Sequence, residues 1–209
     1  MHKFTIYKND YLSMNIQGYY HTNYIGYRNP GNPDYINDLK NTFANYPKAK
    51  LDNAINQLYS VLKNDLSQFD RALTVCIIPR SKSENTYNHN QILFKKVVEL
   101  VTKELGFNNG SNCIIRHTDT KTTHLAHSSR GAPYAGNGSM PYPGITKDTC
   151  NISNKVRNKN ILLVDDIYTN NVNIDEDAIQ SLLDNGAKSV IFYSVGKTIW
   201  HTQKMLSIF

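Results

Sequence analysis

The sequence predicts an α/β protein built on an open, mostly parallel sheet. Four short, continuous apolar runs predict buried strands, at residues 73–78, 113–115, 161–164 and 189–194. Apolar residues recur at helical spacing over 91–105 and 175–184, and each predicted helix ends at a glycine, Gly106 or Gly186. Strands that alternate with helices in this order are typical of parallel sheets joined by right-handed crossovers.

Two segments precede this alternation. Residues 1–33 are rich in Tyr, Asn and Gly, and residues 34–68 have a helical apolar stripe behind Asp34, a candidate N-cap. The tyrosines are consistent with amphipathic packing, with the ring buried and the hydroxyl wet. They are also consistent with a hood over a ligand. We therefore predict an N-terminal helical, Tyr-rich cap over 1–70 and an α/β domain over 71–209.

A long stretch without a predicted element lies inside the α/β domain. Residues 117–158 are rich in Pro, Gly, Ser, Thr and Asn, and no apolar periodicity is visible. Loops of this length inside a compact domain are usually functional or mobile. The sequence therefore predicts a long flexible loop near 117–158.

Composition excludes several classes of protein. The 209 residues are 40% hydrophobic and 19% charged, which is typical of a globular chain. No apolar stretch approaches the roughly 18 residues of a membrane span, and we expect neither a membrane segment nor a signal peptide, hence a cytoplasmic protein. Three cysteines without CxxC spacing argue against a disulfide framework or a cysteine zinc site. The net charge of +6 indicates an acidic partner or substrate.

The strongest chemical signal is the segment ILLVDDIYTNNVN at residues 161–173. A buried strand is followed by Asp165 and Asp166, then by a polar turn and a helix. Ligands of open α/β sheets bind at the carboxyl ends of strands, and a helix start offers backbone N–H groups to a phosphate. Two carboxylates hold hydroxyls or a hydrated Mg²⁺. The segment therefore predicts a sugar-phosphate site.

Four other interpretations of the acid pair are weaker. In receiver domains the acids follow the first strand, whereas here too little chain follows Asp165. A Walker B strand requires a GxxxxGK[ST] loop, and a dinucleotide fold requires GxGxxG, and neither motif is present. The pair could also simply end a strand without a ligand, although two adjacent carboxylates at a buried edge are costly without partners.

The 161–173 segment resembles the phosphoribosyl pyrophosphate (PRPP) motif of type I phosphoribosyltransferases: four apolar residues, two acids and a Thr- and Gly-rich turn. Upstream, residues 77–82 resemble the strand and pyrophosphate loop of that family. His89-Asn90-Gln91 is similar to the Phe-Asn-Gln of its ComF-type competence members, and Arg116 with the following threonines and Arg130 resembles their stretch ahead of the flexible loop. The resemblance covers roughly residues 72–198.

This resemblance implies the type I phosphoribosyltransferase fold and the transfer of phosphoribose from PRPP to a nitrogen acceptor, with release of pyrophosphate and with Mg²⁺ as cofactor. Asp165 and Asp166 would bind the ribose hydroxyls and hold Mg²⁺ indirectly, through ribose or water. The 5′-phosphate would lie on Thr169, Asn170, Asn171, Val172 and Asn173. Pyrophosphate would contact Arg80, Ser81, Lys82 and Arg130. A homodimer is compatible with the resemblance.

The turn departs from the family pattern. Asn171 stands where the family has Gly, and Asn170 and Asn173 stand where hydroxyl residues usually bind the phosphate. Asn tolerates positive φ better than most residues, and its amide is still a donor. The departures leave a second hypothesis open: a catalytically reduced PRPP- or nucleotide-binding regulatory protein linked to DNA uptake, processing or defence. Direct binding of nucleic acid is the weakest hypothesis, because the basic residues lie on segments expected to face a small polyanion.

Overall fold

The computed structural model describes residues 1–40, 46–120, 149–170 and 172–199. Within them, eight strands are β1 (His2–Ile6), β2 (Ile16–Tyr24), β3 (Thr74–Ile77), β4 (Asn108–Asn109), β5 (Ile114–Arg116), β6 (Cys150–Ile152), β7 (Asn160–Tyr168) and β8 (Ser189–Thr198). The four helices are α1 (Tyr35–Lys40), α2 (Lys48–Leu66), α3 (Leu93–Glu104) and α4 (Ile174–Asp184). Short 3₁₀ turns lie at Glu84–Thr86, His89–Gln91 and Asn154–Val156.

Six of the strands form one mixed sheet in the order β1-β2-β8-β7-β3-β4. All neighbours in it are parallel except β1 and β2, which form an antiparallel pair. The predicted α/β architecture with a mostly parallel sheet is therefore confirmed. None of the helices in the described ranges is long and apolar enough to cross a membrane.

The central strand β7 is covered on both faces. Leu162 and Val164 pack into a core with α1, α2 and α3, whereas Ile161 and Leu163 pack into a second core with α4. All four side chains are 0% exposed. A strand covered on both faces has no solvent face, which is why it reads as a continuous apolar run in the sequence.

The Tyr-rich segment belongs to the sheet. Strand β2 pairs in parallel with β8, so that Tyr19 lies opposite Tyr193, and β1 adds an antiparallel edge. Tyr19 packs edge-on against Phe69 with ring centroids 5.2 Å apart, in agreement with the packing interpretation. The helical stretch predicted over 34–68 contains α1 and α2. That the segment acts as a hood over a ligand stays a prediction.

Asp34 lies directly before α1, as predicted, and its carbonyl accepts the N–H of Asp38, while its side chain binds the preceding turn. Its carboxylate accepts the backbone N–H of Arg28, at 3.0 and 3.2 Å, and the Nδ2 amide of Asn32 at 2.6 Å. Arg28 has a φ of 66°, in the left-handed region. The carboxylate therefore stabilises the turn that leads from β2 to α1.

The predicted strand at 113–115 does not join the parallel sheet. As β5 it pairs antiparallel with β6 in a separate two-stranded sheet, with Ile114 opposite Ile152. The place beside β3 is taken by β4, whose Asn108 and Asn109 carry no apolar signal. Strand β6 and a 3₁₀ turn also occupy part of the stretch predicted as a loop near 117–158, and residues 121–148 of that loop lie outside the described residues.

Gly110, directly after β4, approaches the backbone of β3 closely and holds this segment against the strand. Its N–H donates to the carbonyl of Val75 at 2.9 Å. A Cβ at this position would lie 2.8 Å from Cys76 Sγ and 2.9 Å from Val75 O, closer than real contacts allow. Only glycine fits without moving the backbone of β3.

Replacing Gly110 tests its close packing against β3. We expect Gly110→Ala to lower the free energy of unfolding by about 1–3 kcal/mol, because the new methyl group overpacks against β3. Asn53→Ala on the exposed side of α2 should change it by less than about 0.5 kcal/mol. Urea denaturation of both variants measures this difference, and equal stabilities would contradict the close packing.

Candidate active site at the carboxyl edge of the sheet

Asp165 and Asp166 lie within β7 rather than after it. The ladder with β8 continues through both acids, with Asp165 opposite Ser194 and Ile167 opposite Gly196. Both side chains are partly exposed, unlike the buried residues before them. The pair is therefore held by the ladder to β8, beyond the last pair with β3 at Val164, at the carboxyl edge of the sheet where ligands of α/β proteins bind.

Arg80 comes to this edge from the neighbouring strand β3. Its Nη1 donates to the carbonyl of Gln91 at 2.5 Å, and its guanidinium lies over the Tyr87 ring at 4.4 Å. Burial lowers the pKa of Arg80, while Tyr87 and Asp166 act in the opposite direction. A guanidinium remains charged under all ordinary conditions. The fold thus brings a predicted pyrophosphate contact and a predicted ribose contact into electrostatic range.

The loop after β3 is fixed by hydrogen bonds to the segment after β5. The carbonyl of Ser81 accepts the N–H of Thr120 at 2.7 Å and its hydroxyl at 3.1 Å. The Nζ of Lys82 donates to the carbonyl of Thr120 at 2.9 Å, and the N–H of Ser83 donates to Asp119 at 2.8 Å. Ser81 and Lys82 are therefore held near Arg80, with the Lys82 amine on an internal acceptor.

A second buried arginine supports this loop. Arg116, at the end of β5, is 5% exposed and donates from Nε to the carbonyl of Arg80 at 2.6 Å. Burial lowers its pKa, and Cys150, Tyr87, Asp177 and Asp119 oppose that effect. Sequence reasoning placed Arg116 near the ligand; the structure gives it a supporting contact to the backbone of Arg80.

Two buried acids at the start of α4 were not predicted as site residues. Asp175 and Glu176 are 3% and 2% exposed. Burial, and then the hydrogen-bonded carboxyl of Asp165, raises the pKa of Asp175 well above its ordinary value. Burial also raises the pKa of Glu176, which accepts a hydrogen bond from Tyr168 Oη at 2.9 Å. Acids in a first helical turn usually complement the helix dipole at the surface, so their burial is not predictable from their position in the sequence.

The electrostatics of the helix start follow from these pKa shifts. Asp175, Glu176 and Asp177 all lie in the first turn of α4. The hydrogen bond between the carboxyl groups of Asp175 and Asp165 requires a proton, because two carboxylates in contact do not both ionise, and the pKa of Asp175 is raised accordingly. The first turn therefore carries less negative charge than its three acids suggest.

The described residues of the 169–173 turn form hydrogen bonds within the protein. The hydroxyls of Thr169 and Thr198 are 2.8 Å apart, and Asn170 is exposed. The N–H of Val172 donates to the carbonyl of Thr169 at 3.3 Å. Asn173 has a φ of 61°, and its Oδ1 accepts the Nδ2 amide of Asn9 at 2.9 Å. Asn171 and Arg130 lie outside the described residues, so their expected contacts stay predictions.

A magnesium ion would have to share its ligands with a substrate. In the described ranges, no group of three or more His, Cys, Asp or Glu side chains is arranged to hold a metal ion. Asp165 and Asp166 fit the other arrangement common for Mg²⁺, in which one or two carboxylates act together with water and substrate phosphates.

The comparisons with known proteins leave the site to be interpreted from its own geometry. No family model, no curated protein and no solved structure matches this chain.

Removing the ionisable proton of Asp175 tests the buried acid pair. An acid with a raised folded-state pKa favours folding below its unfolded pKa and loses that contribution as the pH rises. We therefore expect Asp175→Asn, which keeps a hydrogen bond to Asp165, to be more stable than the wild type at neutral pH by about 1 kcal/mol or more. The difference should vanish towards acid pH.

Urea unfolding between acid and neutral pH measures this dependence. Asp184→Asn is the matched control, because Asp184 lies at the exposed end of the same helix. The control should follow the wild type at every pH. A loss of stability in Asp175→Asn that does not depend on pH would contradict the shared proton.

Proposed function

We propose that this protein binds PRPP with Mg²⁺ and transfers phosphoribose to a nitrogen acceptor, with release of pyrophosphate. The observation that supports this most is the opposition of charges at two neighbouring strand ends: Asp166 on β7 is in electrostatic range of Arg80 behind β3. A carboxylate suits the hydroxyls of a sugar, and a guanidinium suits a phosphate. A sugar that carries pyrophosphate has both groups.

The reaction depends on the positioning of the substrate and on the stabilisation of the charge that develops in the transition state. The bond from the anomeric carbon to pyrophosphate breaks as the acceptor nitrogen bonds to that carbon, and positive charge develops on the ribose ring. Asp165 and Asp166 would bind the ribose hydroxyls and stabilise that charge. Arg80, Ser81, Lys82 and Arg130 would contact the departing pyrophosphate, whose charge Mg²⁺ would help to neutralise.

Substrate binding would exchange internal hydrogen bonds for bonds to the ligand. The Lys82 amine now donates to Thr120, and the Thr169 hydroxyl is paired with Thr198. In the proposed complex the amine turns to pyrophosphate. The Thr169 hydroxyl joins the backbone N–H groups of the 169–173 turn at the 5′-phosphate.

Neutralising the acid on β7 tests the proposal. We expect Asp166→Asn to lower kcat/KM for pyrophosphate release by about 100-fold or more, because a charge that stabilises the transition state is lost. Arg80→Gln should chiefly weaken Mg²⁺-dependent PRPP binding, measured by calorimetry. Asp184→Asn is the control for carboxylate loss and should behave as the wild type. If the wild-type chain shows no Mg²⁺-dependent PRPP binding, the proposal is wrong.

A second candidate is the catalytically reduced PRPP- or nucleotide-binding regulatory protein linked to DNA uptake, processing or defence. It is favoured because side chains that we expect to bind the ligand form hydrogen bonds within the protein. Asn173 is bound to Asn9, and Asp165 shares a hydrogen bond with the buried Asp175. Such a protein would bind PRPP but would not release pyrophosphate with any acceptor.

A substitution at Asn171, which stands where the family has Gly, helps to distinguish the two candidate functions. If the 169–173 turn has degenerated, Asn171→Gly should raise PRPP affinity by about 10-fold, since glycine removes the cost of positive φ in a phosphate turn. Calorimetry and a pyrophosphate-release assay on the same variant measure binding and turnover separately. An unchanged affinity would indicate that the turn is adapted to another ligand.

A further inference from the structure

Two cysteines that are far apart in the sequence are in contact in the core of the protein. Cys76 lies in β3 and Cys113 lies directly before β5. Both side chains belong to the core that packs against α4, and they are 0% and 4% exposed. Both thiols are free, and they form a hydrogen bond with each other. The proposed function uses neither of them.

Backbone hydrogen bonds hold this pair of thiols together. The N–H of Cys113 donates to the carbonyl of Gly110 at 2.8 Å, and the N–H of Gly110 donates to the carbonyl of Val75 at 2.9 Å. A Cβ at Gly110 would lie 2.8 Å from Cys76 Sγ, so the turn that ends at Cys113 lies directly on that sulfur. On its other side, the carbonyl of Cys113 accepts the N–H of Ser153 at 2.8 Å. The contact is therefore a fixed part of the fold.

The two thiols differ in reactivity. The hydrogen bond from Cys76 lowers the pKa of Cys113 to about 7, with help from Lys155 and against the effect of burial. The same hydrogen bond, together with burial, raises the pKa of Cys76. Because the thiolate is the form that reacts with oxidants, Cys113 is the attacking thiol and Cys76 is the thiol beside it.

The third cysteine provides an internal reference. Cys150, in β6, is buried in the same core. Its sulfur accepts the hydroxyl of Thr149 at 3.8 Å, and burial raises its pKa. Cys150 therefore matches Cys113 in burial but not in thiolate character.

We propose that Cys76 and Cys113 form a redox-active dithiol that closes to a disulfide when the protein meets hydrogen peroxide. The Cys113 thiolate attacks one peroxide oxygen, the O–O bond breaks, and hydroxide leaves from a Cys113 sulfenic acid. The Cys76 sulfur then attacks the sulfenic sulfur and forms the S–S bond, and the sulfenic hydroxyl leaves as water with the Cys76 proton. Overall, the two thiols lose two hydrogens and one peroxide is reduced to two waters.

The disulfide joins the two segments that position Arg80. Strand β3 leads from Cys76 to Arg80, and Arg116, shortly after Cys113, donates from Nε to the carbonyl of Arg80 at 2.6 Å. Oxidation therefore adds a covalent link to a contact that already holds this loop. The inference rests on the thiol pair alone and does not depend on phosphoribosyl transfer.

Peptide mapping of the full native chain after treatment with hydrogen peroxide tests the proposal. The three cysteines fall in different tryptic peptides, residues 72–80, 104–116 and 148–155. The peroxide is removed, the remaining thiols are alkylated in denaturant, and the chain is digested without reductant. We expect 72–80 linked to 104–116, with the alkylated form of each decreased by more than about 10-fold. The Cys150 peptide should remain alkylated as in the untreated protein.

Single substitutions separate the roles of the thiols. Cys113→Ala should leave Cys76 reduced after the same treatment. In Cys76→Ala the Cys113 sulfenic acid has no neighbouring thiol and should be trapped by dimedone. Cys150→Ala is the control for loss of a buried thiol and should form the same linked peptides as the wild type.

Three results would overturn the proposal. They are the absence of a link between the two peptides, oxidation of Cys150 as fast as the pair, and a disulfide that lowers the urea midpoint of the wild type, which would show that it forms only by distorting the native packing. Because the mapping uses the wild-type chain, it remains decisive if a variant does not fold. A chain that forms the disulfide but binds no PRPP would leave this inference standing and remove the proposed function.

Discussion

The burial of β7 between two helical layers is the constraint on which the rest of the structure depends. Four consecutive aliphatic side chains hold the strand from both faces, and the ladders to β3 and β8 hold it from both edges. The strand continues without a break into Asp165 and Asp166. Two like charges are thereby fixed at the carboxyl edge by a scaffold that cannot move them apart, and the surrounding residues compensate for their charge.

That compensation differs for the two acids. Asp166 faces the fixed positive charge of Arg80, which Arg116 holds in place by its contact to the Arg80 backbone. Asp165 instead contacts Asp175, whose burial keeps a proton on the pair. One acid is therefore balanced by a cation and the other by a proton.

The sequence predicts the parts of the fold that are buried on both sides or strongly periodic. Strands β3, β7 and β8 and helices α2, α3 and α4 were all predicted, because burial imposes apolar runs and helical stripes. Strand β4 was missed because two asparagines pair through their backbone alone. The position of β5 was wrong because an apolar triplet does not reveal which strand it pairs with.

The residues of the candidate site could be predicted where they are neighbours in the sequence and follow an apolar run. Asp165 with Asp166 and the loop at Arg80 were found because each group follows an apolar strand. Asp175 could not be found, since the burial of an acid in a first helical turn depends on what packs over it. The hydrogen bond between His21 and Asp65 joins residues 44 positions apart, and no local sequence pattern relates them.

A crystal structure of the chain with PRPP and Mg²⁺ tests the central claim most directly. The account predicts a ribose whose hydroxyls contact Asp165 and Asp166, a pyrophosphate beside Arg80, and a 5′-phosphate on the 169–173 turn. A ligand bound elsewhere, or a carboxyl edge that still holds only its internal hydrogen bonds at saturating PRPP, would contradict it.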